Sequence, residues 1–149
     1  MITLRKKRET FQLKVPSETK NLEIIRSFIY RTAIKAGFDS ECASRIELSV
    51  DEACSNVIKH AYQMKTDNFI EINISIDKEK FVVTIIDQGK GFNPEKIELP
   101  DMMEYLAELR VGGLGIYLMK TLMDEVEYDI IPGKKNIVRM VKYFYALEE

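Results

Sequence analysis

Glu52 and Asn56 stand four residues apart in a stretch whose apolar residues recur at helical spacing. That spacing puts both on one helical face, about 6 Å apart along the axis. A carboxylate beside a carboxamide at the margin of a buried stripe suits two tasks. The amide oxygen can ligate a hard cation such as Mg²⁺, and the carboxylate can accept a proton from an attacking hydroxyl. The same spacing serves a solvated polar face closed by an i,i+4 hydrogen bond, and Ser49, Lys59 and His60 project onto that side too. A second cluster is Asp87-x-Gly89-x-Gly91, directly after an apolar run. Its glycines allow a sharp turn and close approach to a ligand, and Asp87 can accept a hydrogen bond; Asp and Gly are equally the usual residues of a plain strand-to-loop turn. The third is Gly112-Gly113-Leu114-Gly115 before a helical pattern. Glycines at a helix start expose successive N–H groups to phosphate oxygens, or make a tight connection. No Gly-Lys-Ser/Thr follows, so the run is not a Walker P-loop.

Holding these groups requires a set of elements that the patterning supplies. Phe11, Leu13 and Val15 alternate with Gln12 and Lys14, which predicts a half-buried strand over residues 10–15, ended by Pro16. Ser17 reads as the N-cap of a helix with apolar positions Leu22, Ile25, Phe28, Ile29, Thr32, Ala33 and Ala36, stopped by Gly37. Asp39 or Ser40 caps a longer helix carrying Glu52 and Asn56, with a stripe of Ile46, Val50, Ala53, Val57 and Ala61. After a polar turn at Thr66-Asp67-Asn68, Ile70, Ile72, Ile74 and Ile76 alternate with Glu71, Asn73 and Ser75. Residues 81–86 are more continuously apolar, a central strand that delivers Asp87 at its end. Residues 87–94 cannot be helical, and Pro100 closes a further loop before the amphipathic stretch 101–109. The glycine run then opens a helix with Leu118, Met119, Leu122 and Met123 on its apolar face, and a final hairpin pairs residues 126–131 with 137–145. Strands and helices fall in runs, so the predicted class is α+β, with helices layered on one face of a mostly antiparallel sheet.

Composition narrows the function. In 149 residues, 46% are hydrophobic and 31% charged, which suits one folded domain and excludes disorder or a fibrous repeat. With 22 basic and 24 acidic side chains there is no positive excess to hold a nucleic acid backbone, so direct nucleic acid binding is not expected. Cys42 and Cys54 form no CxxC pair, and His60 is the only histidine, which argues against zinc and for reduced core thiols. No apolar run reaches membrane-spanning length and the N-terminus lacks a signal peptide's apolar stretch, so the expected location is cytoplasmic, away from membranes.

The three clusters, in this order and with a long loop between the second and third, resemble the GHKL (Bergerat-fold) ATPase/kinase superfamily. The run Asp51-Glu52-Ala53-Cys54-Ser55-Asn56, continuing to Tyr62, is similar to its N box. Asp87-Gln88-Gly89-Lys90-Gly91-Phe92 is similar to its first glycine box and Gly112-Gly113-Leu114-Gly115-Ile116 to its second. The stretch from Gly113 to Tyr128 narrows the resemblance to the anti-sigma factor serine/threonine kinase family. The resemblance implies a two-layer α/β sandwich with a mostly antiparallel mixed sheet, as one histidine-kinase-like ATPase domain over residues 1–149. It implies ATP and Mg²⁺, with Asn56 on the metal, Glu52 as general base and Asp87 on the adenine amino group. Gly89 and Gly91 would shape the pocket wall. Gly112, Gly113, Leu114 and Gly115 would bring backbone amides to the phosphates, beneath a lid over residues 93–111 from which Arg110 reaches the terminal phosphate. Where many relatives carry a Gly-Thr pair that helps hold adenine, this chain has Lys135-Asn136, so Asn136 takes the threonine's position beside the nucleotide. Cys54 inside the N box is expected to face the core, and His60 to be a packed residue near a helix end. The stretch Met102-Met103-x-Tyr105-Leu106 is lid packing or a partner surface.

The implied activity is an ATP-dependent serine/threonine protein kinase that is also an anti-sigma factor. It would sequester a sigma factor and phosphorylate a STAS-domain anti-anti-sigma partner, working as a homodimer. A non-catalytic module whose grip on a partner changes between ATP and ADP is the alternative. Glu52 opposes it, because a pure binder needs no carboxylate four residues before the metal ligand. No phosphoacceptor-histidine hairpin and no transducer domain is visible, which disfavours a histidine kinase or a gyrase- or MutL-like ATPase.

Overall fold

The computed structural model describes residues 8–89, 121–131 and 133–144. The chain runs β1 (Glu9–Pro16), α1 (Leu22–Ala36), α2 (Ser40–Asn56), β2 (Phe69–Ile76), β3 (Lys80–Asp87), β4 (Glu125–Ile131) and β5 (Lys135–Tyr143). The five strands form one sheet in the order β1-β2-β3-β5-β4, with β3 at its centre as its apolar run predicted. Each pairing is antiparallel, so among the described residues the sheet is antiparallel throughout. The expected helix after the second glycine box, the amphipathic stretch 101–109 and the hairpin apex at Pro132 lie outside the described residues, apart from the short helical end at Thr121 and Leu122.

The period-2 pattern sets which face of the sheet is buried. Leu13, Ile72, Ile85, Val138 and Tyr128 lie in one cross-strand row, and Phe11, Ile74, Val83, Met140 and Val126 in the next. These rows meet the apolar faces of α1 and α2, where Ile25, Ile29, Ile46 and Val50 are fully enclosed with Ile72, Ile74, Phe81, Ile85 and Met140. On the opposite face Gln12, Asn73, Thr84, Arg139 and Glu127 align, a polar row open to water. The result is the expected α+β sandwich.

Local chemistry explains the element ends, with one correction. Gly37 ends α1 at φ +116°, and its N–H bonds back to the last turn. Asp39 is the cap of α2, its carboxylate accepting from the Cys42 N–H at 2.8 Å. Ser17 is not the cap of α1. It is fully buried, its hydroxyl donates to the Lys65 carbonyl at 2.7 Å, and its N–H donates to Asn68. A short 3₁₀ turn, Thr19–Asn21, intervenes, and α1 starts after Asn21, whose amide donates to the Pro16 carbonyl at 2.9 Å. A serine at the end of a strand offers a cap to the next helix or a tie to the neighbouring turn, and here the tertiary tie wins. Phe38 packs edge-on against Phe81 and stacks on Phe144, pinning the α1–α2 connection to the end of the sheet remote from Asp87. Among the described residues no helix is long and apolar enough to cross a membrane.

Candidate functional site

Glu52 and Asn56 occupy the last turn and a half of α2, as their spacing required. Glu52 is half-buried, and Asn56 is only 6% exposed. Asn56 therefore stands enclosed at the C-terminal end of α2, where the winding of the helix changes. Ser49, expected on the same polar face, is instead enclosed in the core, its hydroxyl satisfied by the Arg45 carbonyl one turn back at 3.0 Å. Cys54 faces the core as expected.

Beyond Asn56 the helix changes its winding. Val57–Ala61 form a π-helical turn where the apolar stripe predicted continued α-helix. Val57 and Ala61 are buried, so the stripe identified the inward side but not the wider winding. The Tyr62 N–H bonds Val57 O at 2.9 Å and the Met64 N–H bonds Ile58 O at 2.8 Å. Gln63 and Met64 then take left-handed backbone, φ 50° and 65°, a strained choice for residues with side chains. Tyr62 holds the turn in place. Its hydroxyl donates to the Phe69 carbonyl at 2.7 Å and accepts from the Gln88 N–H at 2.7 Å. One side chain thus joins the turn after α2 to the start of β2 and the end of β3. Nothing in the pattern of the sequence singles out Tyr62, whose role exists only once three distant segments meet. His60 lies partly buried within the turn.

At the end of β3, Asp87 is 3% exposed, on the core side of the sheet. Its Oδ1 accepts from the Gly89 N–H at 2.9 Å and from Asn136 Nδ2 at 2.9 Å. Burial pushes its carboxyl above the usual carboxylate range, and the bonds from Asn136 and Gly89 oppose that rise. Asn136 comes from β5, where it stands directly across from Asp87. Gly89 is required by contact rather than by conformation. A Cβ there would stand 2.7 Å from Ala61 O and 2.9 Å from Ala61 Cβ. The π-turn that follows Asn56 therefore presses against the loop that follows Asp87.

The fold thus assembles Asp87, Gly89 and Asn136 directly, and joins them through Ala61 to the helix of Glu52 and Asn56. Gly91, Arg110, Gly112, Gly113, Leu114 and Gly115 lie outside the described residues, as does the expected lid. The donor set suits a nucleotide with Mg²⁺. Asp87 offers a buried acceptor to a base amino group, Gly89 adds no side chain beside it, and Asn56 carries an amide oxygen of the kind that Mg²⁺ takes. Among the described residues no three His, Cys, Asp or Glu side chains gather into a metal cage. Mg²⁺ needs none, being held characteristically by one or two protein oxygens with substrate phosphates.

Comparison with known proteins agrees with this fold. A family model described as the histidine kinase-like ATPase domain matches residues 15–142. The chain is similar to the serine-protein kinase RsbW of Bacillus subtilis, 31% identical over 137 residues, covering 89% of this chain and 84% of that one. The RsbW kinase of Listeria monocytogenes is 32% identical over 135 residues, covering 88% and 85%. The anti-sigma F factor of Caldanaerobacter subterraneus is 36% identical over 133 residues, covering 89% and 92%.

Proposed function

Because the chain belongs to the histidine kinase-like ATPase domain family, we propose that it is an ATP-dependent serine/threonine protein kinase acting as an anti-sigma factor. It sequesters a sigma factor, phosphorylates a STAS-domain anti-anti-sigma partner, and works as a homodimer in the cytoplasm. The observation that carries this reading is the buried Asp87 carboxylate, its Oδ1 held by Gly89, in a loop pressed against the turn that follows Asn56.

In this reading Asp87 accepts a hydrogen bond from the adenine amino group, and its burial makes that bond strong because water cannot compete. Gly89 and Gly91 form the pocket wall. The backbone amides of Gly112, Gly113, Leu114 and Gly115 meet the phosphates, and Arg110 meets the terminal one. Asn56 holds Mg²⁺, which when bound neutralises phosphate charge. Glu52, on the same helix, accepts the proton of the partner's serine or threonine hydroxyl as its oxygen attacks the terminal phosphorus, whose bond to the bridging oxygen breaks to release ADP. Phosphoryl transfer rests chiefly on positioning and charge neutralisation, so a short domain with one base suffices.

A labelled-ATP transfer assay with Mg²⁺ and a STAS protein from the same genome tests the assignment. Label is expected on a serine or threonine of that protein. Glu52→Gln is expected to abolish transfer while still binding ATP, and Asn56→Ala to lose Mg²⁺-dependent binding. Tight ATP binding without transfer to any STAS protein would instead favour a nucleotide-switched binding module.

A further inference from the structure

As the base, Glu52 must come within about 3 Å of the acceptor hydroxyl, and that hydroxyl arrives on the surface of a folded protein. A standard interface buries about 800 Å² on each partner, a disc reaching about 16 Å from its centre, or about three helical turns. The acceptor therefore covers the outer side of α2 around Glu52. Leu48 stands there, one turn before Glu52 on the same side of the helix, and is 46% exposed. Among the described residues of α2 it is the one large apolar side chain left open to solvent. The charges flanking it are already paired within the chain, Asp51 with Arg26 of α1 at 3.0 Å and Arg45 with Glu41 at 2.8 Å. The Arg26–Asp51 pair also sets how α1 and α2, antiparallel across their short connection, lie against each other. One turn on from Arg26 and one turn back from Asp51 bring Tyr30 level with Leu48, and Ile34, 40% exposed, stands one turn further along α1. An apolar strip with a paired polar margin is the form that interface anchors take.

We propose that Leu48, with Tyr30 and Ile34 of α1 beside it, is the apolar anchor on which the acceptor protein docks, one helical turn from Glu52. This rests on the kinase reading above and adds where the acceptor sits and what holds it. The acceptor presents an apolar patch next to its serine or threonine hydroxyl. Leu48 sets the affinity for that protein and leaves the affinity for nucleotide alone, since the nucleotide residues lie toward the other end of α2, at Asn56 and Asp87.

The test measures label transfer from saturating ATP and Mg²⁺ to each STAS protein of the same genome, with the acceptor concentration varied. The proteins are the wild type, Leu48→Gln and Leu48→Met, all good helix formers at an exposed position, with calorimetric ATP affinity, urea midpoint and sedimentation recorded for each. Leu48→Gln is expected to raise KM for the acceptor about tenfold or more, the effect of truncating an interface anchor, while kcat and ATP affinity stay within about twofold. Leu48→Met keeps the apolar contact and is expected to stay near the wild-type KM. An unchanged KM in Leu48→Gln overturns the proposal and leaves the kinase reading standing. So does a loss of ATP affinity or of kcat in place of the KM effect, which marks a disturbed helix, and so does a change in sedimentation, which marks a contact between copies of this chain. A wild type that binds ATP and labels none of these proteins overturns the kinase reading, and the proposal with it.

Discussion

Asp87 bears both a stability and a binding consequence. Its folded pKa lies above the ordinary 3.8 because burial penalises the ionised form. Below the ordinary value the carboxyl is protonated in folded and unfolded chains alike, so burial there carries no charge penalty. As pH rises above about 4 and through the raised folded value, the folded state must ionise a buried group and stability falls. Urea midpoints of the wild type are therefore expected to decline over this window relative to those of Asp87→Asn, which has no carboxyl to ionise. Parallel curves would refute the assignment. ATP affinity is expected to move the opposite way, weakening as acid protonates Asp87. Cys54 makes a second case at this scale. Burial first, then the charges of Asp51 and Asp87, push its thiol far up, while Cys42 is half-buried with a smaller rise. Mass spectrometry after brief alkylation is expected to find label on Cys42 alone in the native protein, and on both cysteines in denaturant.

Two glycines separate two kinds of element-level constraint. Gly37 closes α1 at φ +116° with open space around it, so an added methyl meets nothing and the cost is backbone strain. Gly37→Ala is expected to destabilise by ~1–2 kcal/mol and leave nucleotide affinity unchanged. Gly89 has no positive φ, but its Cβ would collide with Ala61 O at 2.7 Å. Gly89→Ala must part the loop from the π-turn, at a cost of ~1–3 kcal/mol, and disturbs the bond to Asp87. Loss of ATP binding beyond the loss of stability is the expected signature, read by calorimetry beside urea unfolding. The π-turn explains why this contact exists. Tyr62 ties it to β2 and β3 through two hydrogen bonds, which compensates for the strained backbone at Gln63 and Met64.

For the molecule as a whole, the site is an outgrowth of the sheet–helix packing. Ile74 is fully enclosed where α1 and α2 meet the sheet, and it pairs with Phe11 on one side and Val83 on the other. Ile74→Ala is expected to cost ~2–5 kcal/mol, seen as a lower urea midpoint with little change in slope. β3 and β5 deliver Asp87 and Asn136 side by side only in one register. A one-residue slip would turn every isoleucine of β2 to water, so the hydrophobic pattern that stabilises the fold also sets the site's geometry.

The sequence by itself determined the five strands, the two long helices, the Gly37 stop and a cap at Asp39 or Ser40, of which the structure takes Asp39, because each follows from a short-range period or a local backbone preference. It also put Glu52, Asn56 and Asp87 on the elements that carry them, through helical spacing and a strand end. Only the tertiary structure decided what depends on segments far apart in the chain. Ser17 ties to Lys65 rather than capping α1, Ser49 turns into the core, and the end of α2 widens into a π-turn. Tyr62 gains its role from Phe69 and Gln88, and Asn136 spends its amide on Asp87 across 49 residues of chain. The physical reason is common to all of these: a polar group with several partners in reach takes whichever bond the packed core leaves to it, and periodicity contains no record of that choice.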